Sequence, residues 1–158
     1  MRALKAILAI DPGKNGGVAV INCVTDGPPF QVRLYNCPSS PKKMVSLLKS
    51  IKVKYKKVDT IMEQVWGFPS DASSAAFKFG QNYGQWIGIL SSLGMKYEEV
   101  PPQRWQKKYS PLPKKKSERK KKLNSMAKEI SSNATLKTCD ALLIAMYKLE
   151  EETNGKKN

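Results

Sequence analysis

Two apolar runs joined by seven residues that can continue neither of them constrain this chain most. LKAILAI (4–10) is followed by DPGKNGG (11–17) and then by VAVINCV (18–24). Short runs rich in Ile, Val and Ala, bounded by Gly, Pro, Asn and Asp, read as strands, and the glycine-rich connection reads as a reversal between them. Gly13, Gly16 and Gly17 can take backbone angles closed to other residues. Beyond the turn TDGPP (25–29), FQVRLY (30–35) alternates with period two and suits a third strand with one wet face. The expectation is an antiparallel meander.

The period then changes. Met44, Leu47, Leu48 and Ile51 form the stripe of a short amphipathic helix. VDTIME (58–63) is a strand ending in a carboxylate, and residues 67–74 are a loop. A long helix is expected over 75–93, with Phe79, Tyr83, Trp86, Ile87 and Leu90 buried. In it Gly80, Gly84 and Gly88 recur every four residues, which implies close approach of another element, within the monomer or across a dimer. MKYEEV (95–100) is a strand stopped by Pro101 and Pro102, and a short helix follows over 103–109. Residues 110–122 read as a mobile basic loop feeding a basic helix, with Ser117 as its cap and Leu123, Met126, Ala127 and Ile130 as its stripe. A last helix is expected over 137–151. The order β-β-β-α-β-α-β-α-α predicts an α/β fold with a five-stranded mixed sheet and helices on both faces. It reads as one domain over 1–152, followed by a flexible tail at 153–158.

The chain has 158 residues, with 28 Lys plus Arg against 13 Asp plus Glu, a formal charge of +15. That balance calls for an anionic partner, nucleic acid first. No stretch is long and apolar enough to span a membrane. There is no histidine, which excludes Ser-His-Asp and Cys-His catalysis and argues against a structural zinc site. Cys23, Cys37 and Cys139 form no CxxC pair and fit a reducing interior. A bacterial cytoplasm or nucleoid, a phage-infected cell or an organelle matrix would each suit.

In so basic a chain the acids in apolar surroundings stand out. Asp11 ends the first strand, Glu63 ends the fourth, and Asp140 opens the apolar stretch ALLIA. Ionised carboxylates at a buried rim are costly unless a cation compensates them. If the first and fourth strands are neighbours, the three could converge. Without histidine they would suit Mg²⁺ or Mn²⁺, which favour oxygen ligands; two such ions would activate water against a phosphodiester. Taken separately, Asp11 also reads as a turn residue, Glu63 as a lysine's partner and Asp140 as a helix N-terminal charge.

IDPGKNGGVAV, IMEQV and CDALLIA together resemble the RuvC-like Holliday-junction resolvases, within the ribonuclease H-like nucleases. WGFPSDASSAAFKFGQNYGQWIGILSSLG and VPPQRWQKKY are similar to the phage, bacterial and chloroplast-resolvase branch. The resemblance spans roughly residues 6–148. It implies a homodimer that binds four-way DNA junctions and cuts opposing strands with divalent metal. It implies Asp11, Glu63 and Asp140 as metal ligands, and Lys107, or its neighbour Lys108, as the basic residue at the scissile phosphate. Ser73, Ser74 and Phe77 would lie near the junction centre, Phe77 as a stacking wedge or as core. The chain departs from the family at 133–139, NATLKTC, where a fourth acidic or histidine ligand is expected. Asn133, Thr135, Glu129 or the charge of Lys137 are the available substitutes.

Lys114, Lys115, Lys116, Arg119, Lys120, Lys121 and Lys122 are the expected phosphate contacts, joined by Lys14, Lys78, Arg104 and Lys108. Phe68 and Phe77 are candidates to stack on unpaired bases, whereas Met62, Trp105 and Tyr147 read as packing. Two other functions remain open: a ribonuclease H-like nuclease on another branched or hybrid substrate, and a junction-binding protein with impaired catalysis.

Overall fold

The computed structural model describes residues 5–23, 31–67 and 72–155. The apolar run that opens the chain forms β1 (Lys5–Asp11), and the reversal leads into β2 (Gly17–Asn22) and β3 (Gln31–Asn36). After α1 (Pro41–Lys54) come β4 (Lys57–Glu63), α2 (Ser73–Ser92), β5 (Tyr97–Val100) and α3 (Pro102–Lys107). Two longer helices, α4 (Lys116–Ile130) and α5 (Cys139–Gly155), complete the described chain. The sheet order is β3-β2-β1-β4-β5. β1, β2 and β3 pair antiparallel, while β4 runs parallel to β1 and β5 parallel to β4. This is the expected five-stranded mixed sheet.

β1 lies at the centre, and its sequence shows why. Ala6 to Ile10 are all 0% exposed. Ile7 and Ala9 face a core shared with α3, α4 and α5, and Ala6, Leu8 and Ile10 face one shared with α1 and α2. A strand covered on both sides needs an unbroken apolar run rather than alternation. β3, at the edge, keeps the alternation, with Gln31 and Arg33 exposed and Val32 and Leu34 partly buried. Among the described residues no helix is long and apolar enough to cross a membrane.

Several local expectations are corrected. Only Gly13 of the three turn glycines has a positive φ. Gly17 serves close approach instead: a Cβ there would stand 2.7 Å from the Lys137 carbonyl oxygen and 2.9 Å from that of Tyr35. It therefore lets the segment before α5 settle on the end of the sheet. Gly80, Gly84 and Gly88 admit no neighbouring element from within the described chain, where a Cβ at each would meet open space. Of the expected α2 stripe, Trp86 and Leu90 are fully buried, but Phe79 is 37% exposed. The basic segment is a loop only as far as Lys115, because Lys116 to Lys122 form the first turns of α4. Lys115 stands at its N-cap, and Ser117 lies inside the first turn. The last helix runs on through Gly155, so Thr153 and Gly155 are helical rather than tail. The turn at 25–29 lies outside the described residues.

Close packing at Gly17 and open space at Gly88 predict opposite signs for one change. Gly17→Ala should cost about 1–3 kcal/mol, since backbone must shift to admit the methyl group. Gly88→Ala should gain up to about 1 kcal/mol from helix propensity. Urea unfolding of both variants checks this, and equal effects would remove the close-approach account of Gly17.

Candidate active site

The alternation of side chains along a strand decides where the acids go. Ile7, Ala9 and Asp11 point to one face of β1, and Asp59, Ile61 and Glu63 to the same face of β4. The parallel register sets Ala9 beside Ile61 and Ile10 beside Met62, so Asp11 and Glu63 come level on neighbouring strands at the same end of the sheet. That face is covered by α5, whose first turn carries Asp140. The three acids singled out in the sequence therefore belong to one cluster.

Their electrostatics follow from the crowding. Asp11 is buried and makes no ion pair among the described residues. Burial raises its affinity for a proton well above the ordinary range, and the charges of Glu63 and Asp140 raise it further, with Lys120 opposing. Glu63 is pushed up to about 7, chiefly by burial and then by the charge of Asp140. The Trp105 indole N–H limits that rise by donating to Glu63 Oε2 at 2.7 Å. Asp140 Oδ2 accepts from Lys120 Nζ at 2.6 Å. Burial pulls the Lys120 proton affinity down, but the charge and hydrogen bond of Asp140 outweigh this, and the ammonium is held more firmly than usual.

Among the described residues no three Cys, Asp or Glu side chains are placed closely enough to hold a metal ion as they stand. The donor chemistry nevertheless fits a divalent ion. Were all three carboxylates ionised, as a bound cation would require, they and the one ammonium would carry a net charge of −2 in a buried cleft, with no ion pair to Asp11 among the described residues. Nothing from the 133–137 segment supplies a further acid, and Lys137 is exposed.

The expected basic residues divide into two sets. Lys107 is exposed at the end of α3 and forms no ion pair with the three acids, whereas Lys120 does. Arg104 and Lys108 turn to α5, pairing with Glu151 at 3.1 Å and Glu150 at 2.5 Å. Arg119 donates to the carbonyls of Pro113 and Lys114, and Lys122 to that of Pro111, so both strap the basic loop to α4. Lys115 lies 3.6 Å from Glu118. Lys14, Lys78, Lys114, Lys116 and Lys121 are exposed and make no ion pair among the described residues. Ser73 and Ser74 open α2 on the solvent side, and Phe77, 73% exposed, is not core. Phe68 lies outside the described residues.

No family model matches the sequence, and no curated protein does. Solved structures do. A Thermus thermophilus RuvC in complex with Holliday junction substrate matches with a TM-score of 0.61 at 16% identity, over 95% of this chain and 96% of that one. A second Thermus thermophilus RuvC structure matches at 0.55 and 16%, over 94% and 96%. The chain has the RuvC fold. Its mixed sheet with helices on both faces is the ribonuclease H-like α/β arrangement anticipated from the motifs.

Two members of the site in this RuvC-like fold were not assigned there from sequence. Lys120 was read as a phosphate contact within a lysine run. Its helical spacing holds the signal, because Lys120, Leu123 and Ala127 are i, i+3 and i+7, and the latter two are buried. Trp105 was read as packing; it is fully buried, yet its indole N–H also needs an acceptor, which Glu63 provides.

Glu63 gives a pH prediction with a definite sign. Raised from 4.5 to about 7, its carboxyl keeps a proton in the folded state that the unfolded chain releases. Without divalent metal, stability should fall as pH rises between these values, by on the order of 3 kcal/mol for such a shift. Asp11 acts in the same direction. Urea midpoints in chelator between pH 4.5 and 8 should decline less steeply for Glu63→Gln than for the unsubstituted protein; parallel declines would contradict the assignment.

Proposed function

We propose that this chain is a divalent-metal-dependent endonuclease that resolves four-way DNA junctions, cutting two opposing strands as a homodimer. The observation that carries the reading is the cluster of Asp11, Glu63, Asp140 and Lys120 at one end of a RuvC-like sheet in a chain of net charge +15. Exposed lysines on α4 and the loop before it that make no ion pair among the described residues, and an exposed aromatic at the start of α2, support a nucleic-acid substrate.

Asp11, Glu63 and Asp140 would hold Mg²⁺ or Mn²⁺, and the net charge of −2 suits one ion, with the Lys120 ammonium in place of a second. A bound ion would supply Lewis-acid polarisation of the phosphodiester and an ionised water. The chain's own residues do the rest. Trp105 fixes the orientation of Glu63 through its indole N–H. Lys120, kept protonated by Asp140, stabilises charge building on the phosphate. Lys114, Lys116 and Lys121 bind the DNA backbone without reading its sequence. Phe77 stacks where the junction opens.

A second reading, junction binding without efficient cutting, is favoured by the Lys120–Asp140 pair, which occupies one of the three acids.

A labelled synthetic junction with Mg²⁺ or Mn²⁺, beside linear duplex and RNA–DNA hybrid, tests these readings. Symmetric paired nicks are expected on the junction alone. They should vanish in Asp11→Asn and slow by about 10²–10³-fold in Lys120→Ala. Tight binding without cuts would establish the second reading, and cleavage of the hybrid alone would contradict junction resolution.

A further inference from the structure

Asp11 stands where the sheet runs out. Ile10 is the last β1 residue in register with β4, and Asp11 has a strand partner on one side only, Gly17 of β2. Pro12 follows and offers no N–H. Gly13, at φ +108°, begins a turn closed by the Gly16 N–H on the Gly13 carbonyl at 3.0 Å. The backbone around the carboxylate therefore depends on whatever fixes this turn to the rest of the protein.

That anchor is α2, which lies on the opposite face of the sheet from α5. Asn82 Oδ1 accepts the Gly13 N–H at 2.8 Å. One turn earlier Phe79 lies against Gly13, so close that a Cβ at Gly13 would stand 2.5 Å from a ring carbon. The amide orientation of Asn82 is set by chemistry, since the Gly13 N–H can only donate. Nδ2 is left for Cys37 Sγ at 3.6 Å, and the Cys37 N–H donates to the Gly16 carbonyl at 3.1 Å. Asn82 thus holds one end of the turn directly and the other through Cys37. Its place on α2, three after Phe79 and four before the buried Trp86, is one that an apolar side chain would fill by packing alone.

We propose that Asn82 is a positioning residue for Asp11, acting through the backbone of the 12–16 turn, a role that rests on the nuclease reading above. It touches none of the acids. The α5 side of the sheet carries the charges, and the α2 side fixes the strand end from which the central one projects.

The test separates this role from simple structural support. Single-turnover junction cleavage should slow about 10–100-fold in Asn82→Ala, with junction affinity and thermal midpoint unchanged. In the same variant the Gly13 amide should lose hydrogen-exchange protection while the amides of β1 and β4 keep theirs. Asn82→Asp keeps an acceptor and should restore the Gly13 protection. Unchanged cleavage, unchanged Gly13 protection, or a uniform loss of protection across the sheet in Asn82→Ala would each overturn the proposal. An unsubstituted protein that cuts no junction would overturn the nuclease reading instead, and Gly13 exchange would still decide whether Asn82 holds the turn.

Discussion

The end of the central strand sets the main constraint on this molecule. β1 must be apolar from Ala6 to Ile10 because both of its faces are covered there, yet its last residue is an aspartate. A buried carboxylate is tolerated only as a protonated acid or beside a cation. Asp11 has two further acids close by and a lysine that belongs first to Asp140. The surrounding structure follows from satisfying that corner. Gly17 brings the start of α5 onto the sheet, α4 delivers Lys120, and α3 delivers Trp105.

The basic excess consequently has two uses. One part works inside the protein, as counter-ion to Asp140 in Lys120 and as straps in Arg119 and Lys122 that pin the 111–114 loop. A different part faces outward without acidic partners among the described residues. A fully solvated basic surface would bind polyanions by counter-ion release alone, whereas an ammonium fixed beside carboxylates adds a directed charge at a defined point. The same helix, α4, carries both kinds: its periodicity turns Lys120 inward and Lys121 outward, and Lys116 is exposed because it opens the helix.

Much of this is legible in the sequence. The strands declare themselves because turn residues punctuate them and because β1 and β3 differ in period as central and edge strands must. The acids declare themselves because each interrupts an apolar segment in a basic chain. Lys120 did not, since in a run of lysines composition masks the helical stripe; extending the Leu123–Ala127 stripe back one turn would have reached it. Trp105 was hidden for a different reason: burial and hydrogen bonding coexist in an indole, and sequence reports only the first. Gly80, Gly84 and Gly88 were expected to admit a neighbouring element, but glycine spacing is the same whether the neighbour is another part of the chain or another molecule. The expectation for Lys107 came from motif similarity, and α3 ends with that side chain in solvent.

The central claim is that Asp11, Glu63 and Asp140 form one site whose residual negative charge is completed by a divalent cation, with Lys120 as a permanent member. Crystals soaked in Mn²⁺ and measured at a wavelength where manganese scatters anomalously test it directly. The account predicts an anomalous peak about 2.0–2.3 Å from carboxylate oxygens of Asp11 and Glu63, with the Lys120 ammonium still on Asp140. Empty density between those carboxylates, while Mn²⁺ fills other acidic sites in the same crystal, would contradict it.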